Sequence, residues 1–189
     1  PKYQTASIDD HLLTPEDMVD KGKLHDVCSR IVLKILWLTR RVRPDTYWAV
    51  NSLAREVSKW TVACDKRLLR LIGYLRWSKY QSLQMIVGNQ LKDCVIMYFA
   101  DAEFADSLRD SKSTSGGHMM LLGPQTFVPL AWLCKKQGAV SHSTTEAETI
   151  SLDVGLRLEA LPLLMLWDVI IDTFSTDCEK QQLRVANAG

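Results

Sequence analysis

The chain has 189 residues, of which 47% are hydrophobic and 24% charged, with a formal net charge of +1. That is the size and composition of one or two globular domains with a real core. No apolar run is long enough to span a membrane, and the polar, acidic first 20 residues show no signal-peptide pattern. Five isolated cysteines, with no C-x-x-C and no His at ligand spacing, suggest reduced thiols in a cytosolic or nuclear setting rather than zinc or disulfides.

Residues 1–13 read as a disordered or linking tail. Thr14-Pro15-Glu16-Asp17 is a helix start, with Thr14 as N-cap and Pro15 at the first helical position. Leu24 to Arg41 is amphipathic, its apolar residues Leu24, Val27, Cys28, Ile31, Val32, Ile35 and Leu38 recurring at helical spacing. Arg40, Arg41 and Arg43 suit the negative end of that helix, and Pro44 stops it. A second helix is expected over about 45–59, carrying Tyr47, Val50, Leu53, Ala54 and Val57. A third, over about 64–79, carries Cys64, Leu68, Leu71, Ile72 and Leu75. These stripes predict a small bundle packing through the Leu24–Leu38 face. Basic helices with Trp48, Trp60 and Trp77 also fit a nucleic-acid surface, through phosphate contact and stacking.

The net charge conceals an asymmetry. Residues 14–92 hold 15 Lys and Arg against 7 Asp and Glu, and residues 93–189 hold 7 against 13. A basic half joined to an acidic half suits a nucleic-acid enzyme, and equally a solvated basic helical face.

Ser82 to Gly88 reads as a short strand entering a second domain. Cys94 to Ala100 is apolar on both faces, the pattern of a strand central in its sheet, and ends at Asp101. Apolar runs Gly117–Gly123 and Phe127–Cys134 follow, the latter with Pro129, which marks an edge strand or a bulge. Three strands with short polar links predict an antiparallel meander. A helix starts at Ser143, with an apolar stripe of Ala147, Ile150, Ser151, Val154, Leu158 and Leu161. Pro162 kinks or breaks it near Leu161, and Leu163 to Ile171 continues as helix.

Asp101 at a strand end and Glu146 in the first turn of a packed helix can converge on one spot. Converging carboxylates repel unless cations sit between them, and hard oxygen ligands of this kind suit Mg²⁺ or Mn²⁺. Two such ions roughly 3.5–4 Å apart activate water and stabilise a leaving oxygen in phosphodiester cleavage. Each acid also has a plain structural reading. Asp101 can open a turn, and Ser143-x-x-Glu146 is a capping box.

The words Tyr98-Phe99-Ala100-Asp101-Ala102-Glu103-Phe104-Ala105, Arg109-Asp110-Ser111-Lys112-Ser113-Thr114-Ser115-Gly116, Ala131-Trp132 through Lys135-Lys136-Gln137, and Ser143-Thr144-Thr145-Glu146-Ala147-Glu148 occur in this order. Together they resemble the ribonuclease H domain of copia-type LTR retrotransposon Pol polyproteins. Arg43-Pro44-Asp45 and Leu68 to Leu75 resemble the segment joining polymerase to ribonuclease H in those elements. The resemblance implies an α/β chain: a 1–13 tail, a helical connection segment over 14–82, and an incomplete RNase H-like domain over 83–189. It implies hydrolysis of the RNA strand of an RNA–DNA hybrid, with Asp101 and Glu146 as ligands of Mg²⁺ or Mn²⁺. The implied partners are the hybrid and the reverse transcriptase portion of the same polyprotein, with no membrane and an intracellular, cytoplasmic or nuclear setting. After the helix the family has a further strand ending in a third ligand. Here Ser175-Thr176-Asp177 is the only stand-in, and Asp177 the third candidate. The alternative from another class is a catalytically inactive remnant or truncated fragment serving as a folded interaction module.

Overall fold

The computed structural model describes residues 3–104 and 111–176. The chain divides into two compact units, Pro1–Leu83 and Gln84–Gly189.

The first unit is helical: α1 (Pro15–Val19), α2 (Cys28–Val42), α3 (Tyr47–Arg55) and α4 (Val62–Trp77). Thr14 and Asp17 cap α1 reciprocally, so the helix-start reading of these residues holds. Helix α3 packs on both α2 and α4. Its Val50 and Leu53 meet a core of Cys28, Val32, Trp60, Ala63, Cys64, Leu68 and Leu71. The buried line of α2 is Cys28, Val32 and Thr39, with Ile31 and Ile35 half-buried beside it. Ile72 of α4 is exposed, displaced from the contact line by Leu68 and Leu71.

Helix α2 begins at Cys28, four residues later than its hydrophobic pattern, for a local reason. The buried Asp65 carboxylate accepts hydrogen bonds from the backbone N–H of Lys23 (2.6 Å) and Leu24 (3.2 Å) and from Trp60 Nε1 (2.6 Å). Residues 23–27 therefore form turns. Residues 3–13 also depart from expectation. They lie along α4, where Arg70 donates to Thr5 and stacks over the Tyr3 ring, Arg67 pairs with Asp10, and Tyr3 lies against Gly73. The polar tail pattern concealed these partners because they lie on a helix about sixty to seventy residues away in sequence.

Arg43 stops α2 in a buried knot. It makes two bonds to Asp45 (2.9 and 2.7 Å) and one to Ser78 Oγ (2.7 Å), while Tyr74 donates to Asp45 (2.7 Å). Burial pushes the Asp45 carboxyl up, but the bonds from Arg43 and Tyr74 and the Arg43 charge outweigh it and hold the group below its usual range.

The second unit is an antiparallel meander followed by a long helix. Strands β1 (Val95–Glu103), β2 (Thr114–Gly123) and β3 (Thr126–Lys136) pair in the order β1-β2-β3. This is the mixed α/β architecture that the sequence predicts, and it is consistent with a partial RNase H-like fold. Pro129 marks a bulge: Met119 faces Ala131 and Met120 faces Pro129, leaving Leu130 over. Instead of a strand over Ser82 to Gly88 there is a single bridge, Ile86 to Phe127. Asn89 anchors it by accepting from Gln125 N–H and the Thr126 hydroxyl. β1 lies at the edge of the described sheet, not at its centre. Its even-numbered residues are half-buried, whereas Val95, Met97, Phe99, Asp101 and Glu103 are exposed.

Helix α5 (Thr144–Gly155) continues through a π-helical turn, Leu156–Ala160, into α6 (Leu161–Phe174). The irregular turn precedes Pro162, whose ring excludes the carbonyl four residues back, at Leu158.

Two measurements test the first unit. Asp65→Ala leaves three donors without their acceptor, and should lower the unfolding free energy by about 3 kcal/mol in urea titrations. Because the folded Asp45 pKa is depressed, its stabilising contribution is present above the unfolded value, about 3.9, and is lost as pH falls through the folded value. Asp45→Asn should therefore flatten the decline of stability below about pH 4.

Candidate metal site and its surroundings

The position of α5 on the sheet follows from small side chains. Ala147, Ser151 and Gly155 recur every four residues, making one line along the helix, and all three are buried. Across from them, Tyr98 of β1 lies between Gly117 of β2 and Gly155, so closely that a Cβ on either glycine would overlap its ring. The Ser151 hydroxyl lies 2.6 Å from the Asp101 carbonyl oxygen and 3.1 Å from that of Gly116, and its one proton serves both. Gln137 anchors the helix start. Its Nε2 donates to Ser115 Oγ (3.0 Å) and the Ala147 carbonyl (2.8 Å), while its Oε1 accepts from Ser141 (2.8 Å).

These contacts set α5 antiparallel to β1: Gly155 lies over Tyr98 and Ser151 over Asp101, while Ala147 reaches the Ser115 end. Asp101 and Glu146 thus lie toward the same end of the layer, but they are held separately. Asp101 belongs to the exposed odd-numbered set of β1, opposite in the strand alternation to Tyr98, which faces α5. Glu146 stands five residues before Ser151, about 7.5 Å along the helix axis. Its Oε2 accepts from His142 N–H (2.7 Å), and its own N–H donates to Ser143 Oγ (3.1 Å). Ser143 therefore caps as expected, while the Glu146 carboxylate reaches back one residue further than a capping box requires. Asp177 lies outside the described residues. Among the described residues, no group of three or more His, Cys, Asp or Glu side chains could hold a metal ion.

Sequence reasoning assigned no role to Gln137, Tyr98, Gly117 or Gly155. The Ala147-Ser151-Gly155 spacing was a usable signal for close helix-to-sheet approach. Among the described residues, Tyr98 Oη and His118 Nε2 are buried without a hydrogen-bond partner. Burial pushes the Tyr98 pKa up, with Glu159 adding in the same direction, and burial pulls that of His118 down. His118 sits across the sheet from Phe99 and beside Trp132, whose ring it meets edge-on at 6.1 Å.

No family model matches the chain, and no solved structure does. Among curated proteins it is similar to two Arabidopsis thaliana proteins, the retrovirus-related Pol polyproteins from transposons RE1 and RE2. Each is 33% identical over 106 residues, which is 56% of this chain and 7% of the relative. It is also similar to the secreted RxLR effector protein 161 of Plasmopara viticola, 29% identical over 118 residues, covering 62% of this chain and 78% of that protein. The chain thus spans only a small part of the Pol polyproteins it matches. Among the described residues, no helix is long and apolar enough to cross a membrane.

The unpaired Tyr98 hydroxyl gives a stability prediction. Tyr98→Phe keeps the ring between the two glycines and removes a buried, unbonded polar atom, and should raise the unfolding free energy by about 1 kcal/mol. Gly155→Ala forces the ring out of place, and should lower it by about 1–3 kcal/mol in the same denaturation experiment.

Proposed function

We propose that the chain is an RNase H-like segment of a transposon-derived Pol polyprotein that survives as a folded remnant and, by itself, cleaves an RNA–DNA hybrid weakly or not at all. Three things support the origin: the four motif words in order, the similarity to the two Pol polyproteins, and a meander followed by a helix that starts at the Ser143 cap. The observation that carries the functional part is the engagement of Glu146. Its carboxylate is bonded to the His142 amide, and Asp101 stands on the uncovered strand face.

Two carboxylates do not fit a two-ion centre. Mg²⁺ demands near-octahedral oxygen geometry and dehydrates reluctantly, so Asp101 and Glu146 would leave most positions around even one ion to water. A second ion would have no dedicated anchor unless Asp177 supplied it. Weak binding of one Mg²⁺ or Mn²⁺ is the most that this donor set offers. The hybrid, and the reverse transcriptase portion of a longer polyprotein, remain the partners proposed for this unit.

The test is cleavage of a labelled RNA–DNA hybrid in Mg²⁺ or Mn²⁺ by the chain, by Asp101→Asn and by Asp177→Asn. Cleavage should be near background in all three. Robust cleavage that survives Asp177→Asn but not Asp101→Asn would refute the remnant reading, and robust cleavage lost in both would make Asp177 a third ligand.

A further inference from the structure

We infer that the outer face of α2 is a binding surface for single-stranded nucleic acid, separate from any metal site. At 100° per residue, Arg30, Lys34, Trp37 and Arg41 fall in a stripe about 60° wide, flanked by Leu33 and Arg40. All six side chains are exposed, Trp37 by 65%. The stripe lies opposite the buried line of Cys28, Val32 and Thr39.

Three features of this face, taken together, suit an anionic strand. First, Arg30, Lys34, Arg40 and Arg41 make no hydrogen bond or ion pair among the described residues. Other cations of the unit divide: Lys66 is engaged by Asp17, Arg67 by Asp10, Arg43 by Asp45, and Arg70 by Thr5 and the Tyr3 ring, whereas Arg55, Lys59 and Arg76 are as open as these four among the described residues. Second, α2 contains no Asp or Glu, so Arg30 and Lys34, four residues apart, repel across one turn with no acidic side chain of the helix to offset them. A helix that tolerates such repulsion is suited to an anionic partner. Third, the largest exposed apolar group on the face is a tryptophan set inside the cationic row, the arrangement that tracks phosphates while stacking a base.

The chemistry favours a nucleic acid strand over an anionic lipid surface. An interfacial helix lays its apolar face into the bilayer, and in α2 that face is already buried in the core of the unit. It favours a single strand over a duplex because Trp37 can stack only on a base that is free to leave its neighbours. From Arg30 to Arg41 the row runs about 16 Å. That is room for about five phosphates at the per-strand spacing of a duplex, and fewer along an extended strand.

The experiment is fluorescence anisotropy of the full chain with a short unstructured RNA, a blunt RNA–DNA hybrid, and phosphatidylserine vesicles, across 50 to 200 mM salt. The RNA should bind more tightly than the hybrid, with a log–log salt slope of about −3 for four neutralised phosphates, and the vesicles should not bind. Joint replacement Arg30→Gln, Lys34→Gln and Arg41→Gln should weaken RNA binding at least tenfold and make the slope shallower by about two. The same replacement should leave the melting temperature unchanged or raise it, because like charges leave the helix. Trp37→Ala alone should lose about five- to a hundredfold in affinity. Arg67→Gln, which removes a cation paired elsewhere, should change nothing. Hybrid binding as tight as RNA binding, indifference to Trp37→Ala, or vesicle binding without RNA binding would each overturn the inference. Failure of hybrid cleavage leaves it standing, since no step of it involves Asp101 or Glu146.

Discussion

The second unit depends on how closely α5 approaches the sheet. A helix normally rests on a sheet through large side chains. Here Ala147, Ser151 and Gly155 face Gly117 and the Tyr98 ring, and the gap is too narrow for a Cβ on Gly117 or Gly155. Close approach lets a serine hydroxyl reach backbone carbonyls of two strands at once, and lets Gln137 join β2, the loop after β3 and the start of α5 in one buried network. Such polar contacts hold a register more tightly than apolar contact does, because each atom has one acceptable partner position. The same closeness leaves the Tyr98 hydroxyl without a partner among the described residues, so the tyrosine contributes packing at the expense of a desolvated oxygen.

The covering of the sheet is one-sided. α5 covers the face that carries Tyr98, and the opposite face of β1 presents Val95, Met97 and Phe99 to solvent. The two edges of the described sheet also differ. β3 has Pro129, a bulge, Lys135, Lys136 and the Ile86 bridge, all devices that discourage further pairing. β1 has none of these, and its sequence alternates apolar residues on its open face up to Asp101. A strand apolar on both faces is written for burial on both, and β1 keeps that pattern while only one face is covered. In the same unit α6 buries Ile171 and exposes Leu161, Met165, Leu166, Val169 and Phe174. These apolar faces of β1 and α6 are left exposed among the described residues.

The signals readable in the sequence were those carried by neighbouring residues. Caps at Thr14 and Ser143, the stop at Pro44, the bulge at Pro129 and the 3.6-residue stripes all act within a turn or two of their own position, and most of the elements form near where these place them. Partners distant in sequence were hidden. Nothing near Leu24 announces that Asp65 will take its amide and delay α2, and nothing near Thr5 announces Arg70. The edge position of β1 was misread because a hydrophobic pattern reports how a strand could be covered, whereas its position depends on which neighbours are present. The two acids were legible as residue types at the end of a strand and the start of a helix. Their separate engagement depends on which face Asp101 takes and on where the Glu146 carboxylate turns, and neither follows from spacing.

Glu146 shows how one side chain can be drawn into two incompatible tasks. As a cap it accepts a hydrogen bond from the His142 amide at the solvent-exposed helix start. As a metal ligand it would have to release that amide, and the ion would also have to shed tightly held water. A complete cluster of acids reverses this balance. Mutual repulsion among three or more carboxylates raises their free energy without metal, so that an ion relieves strain on binding. In this chain the Glu146 carboxylate is engaged by the His142 amide.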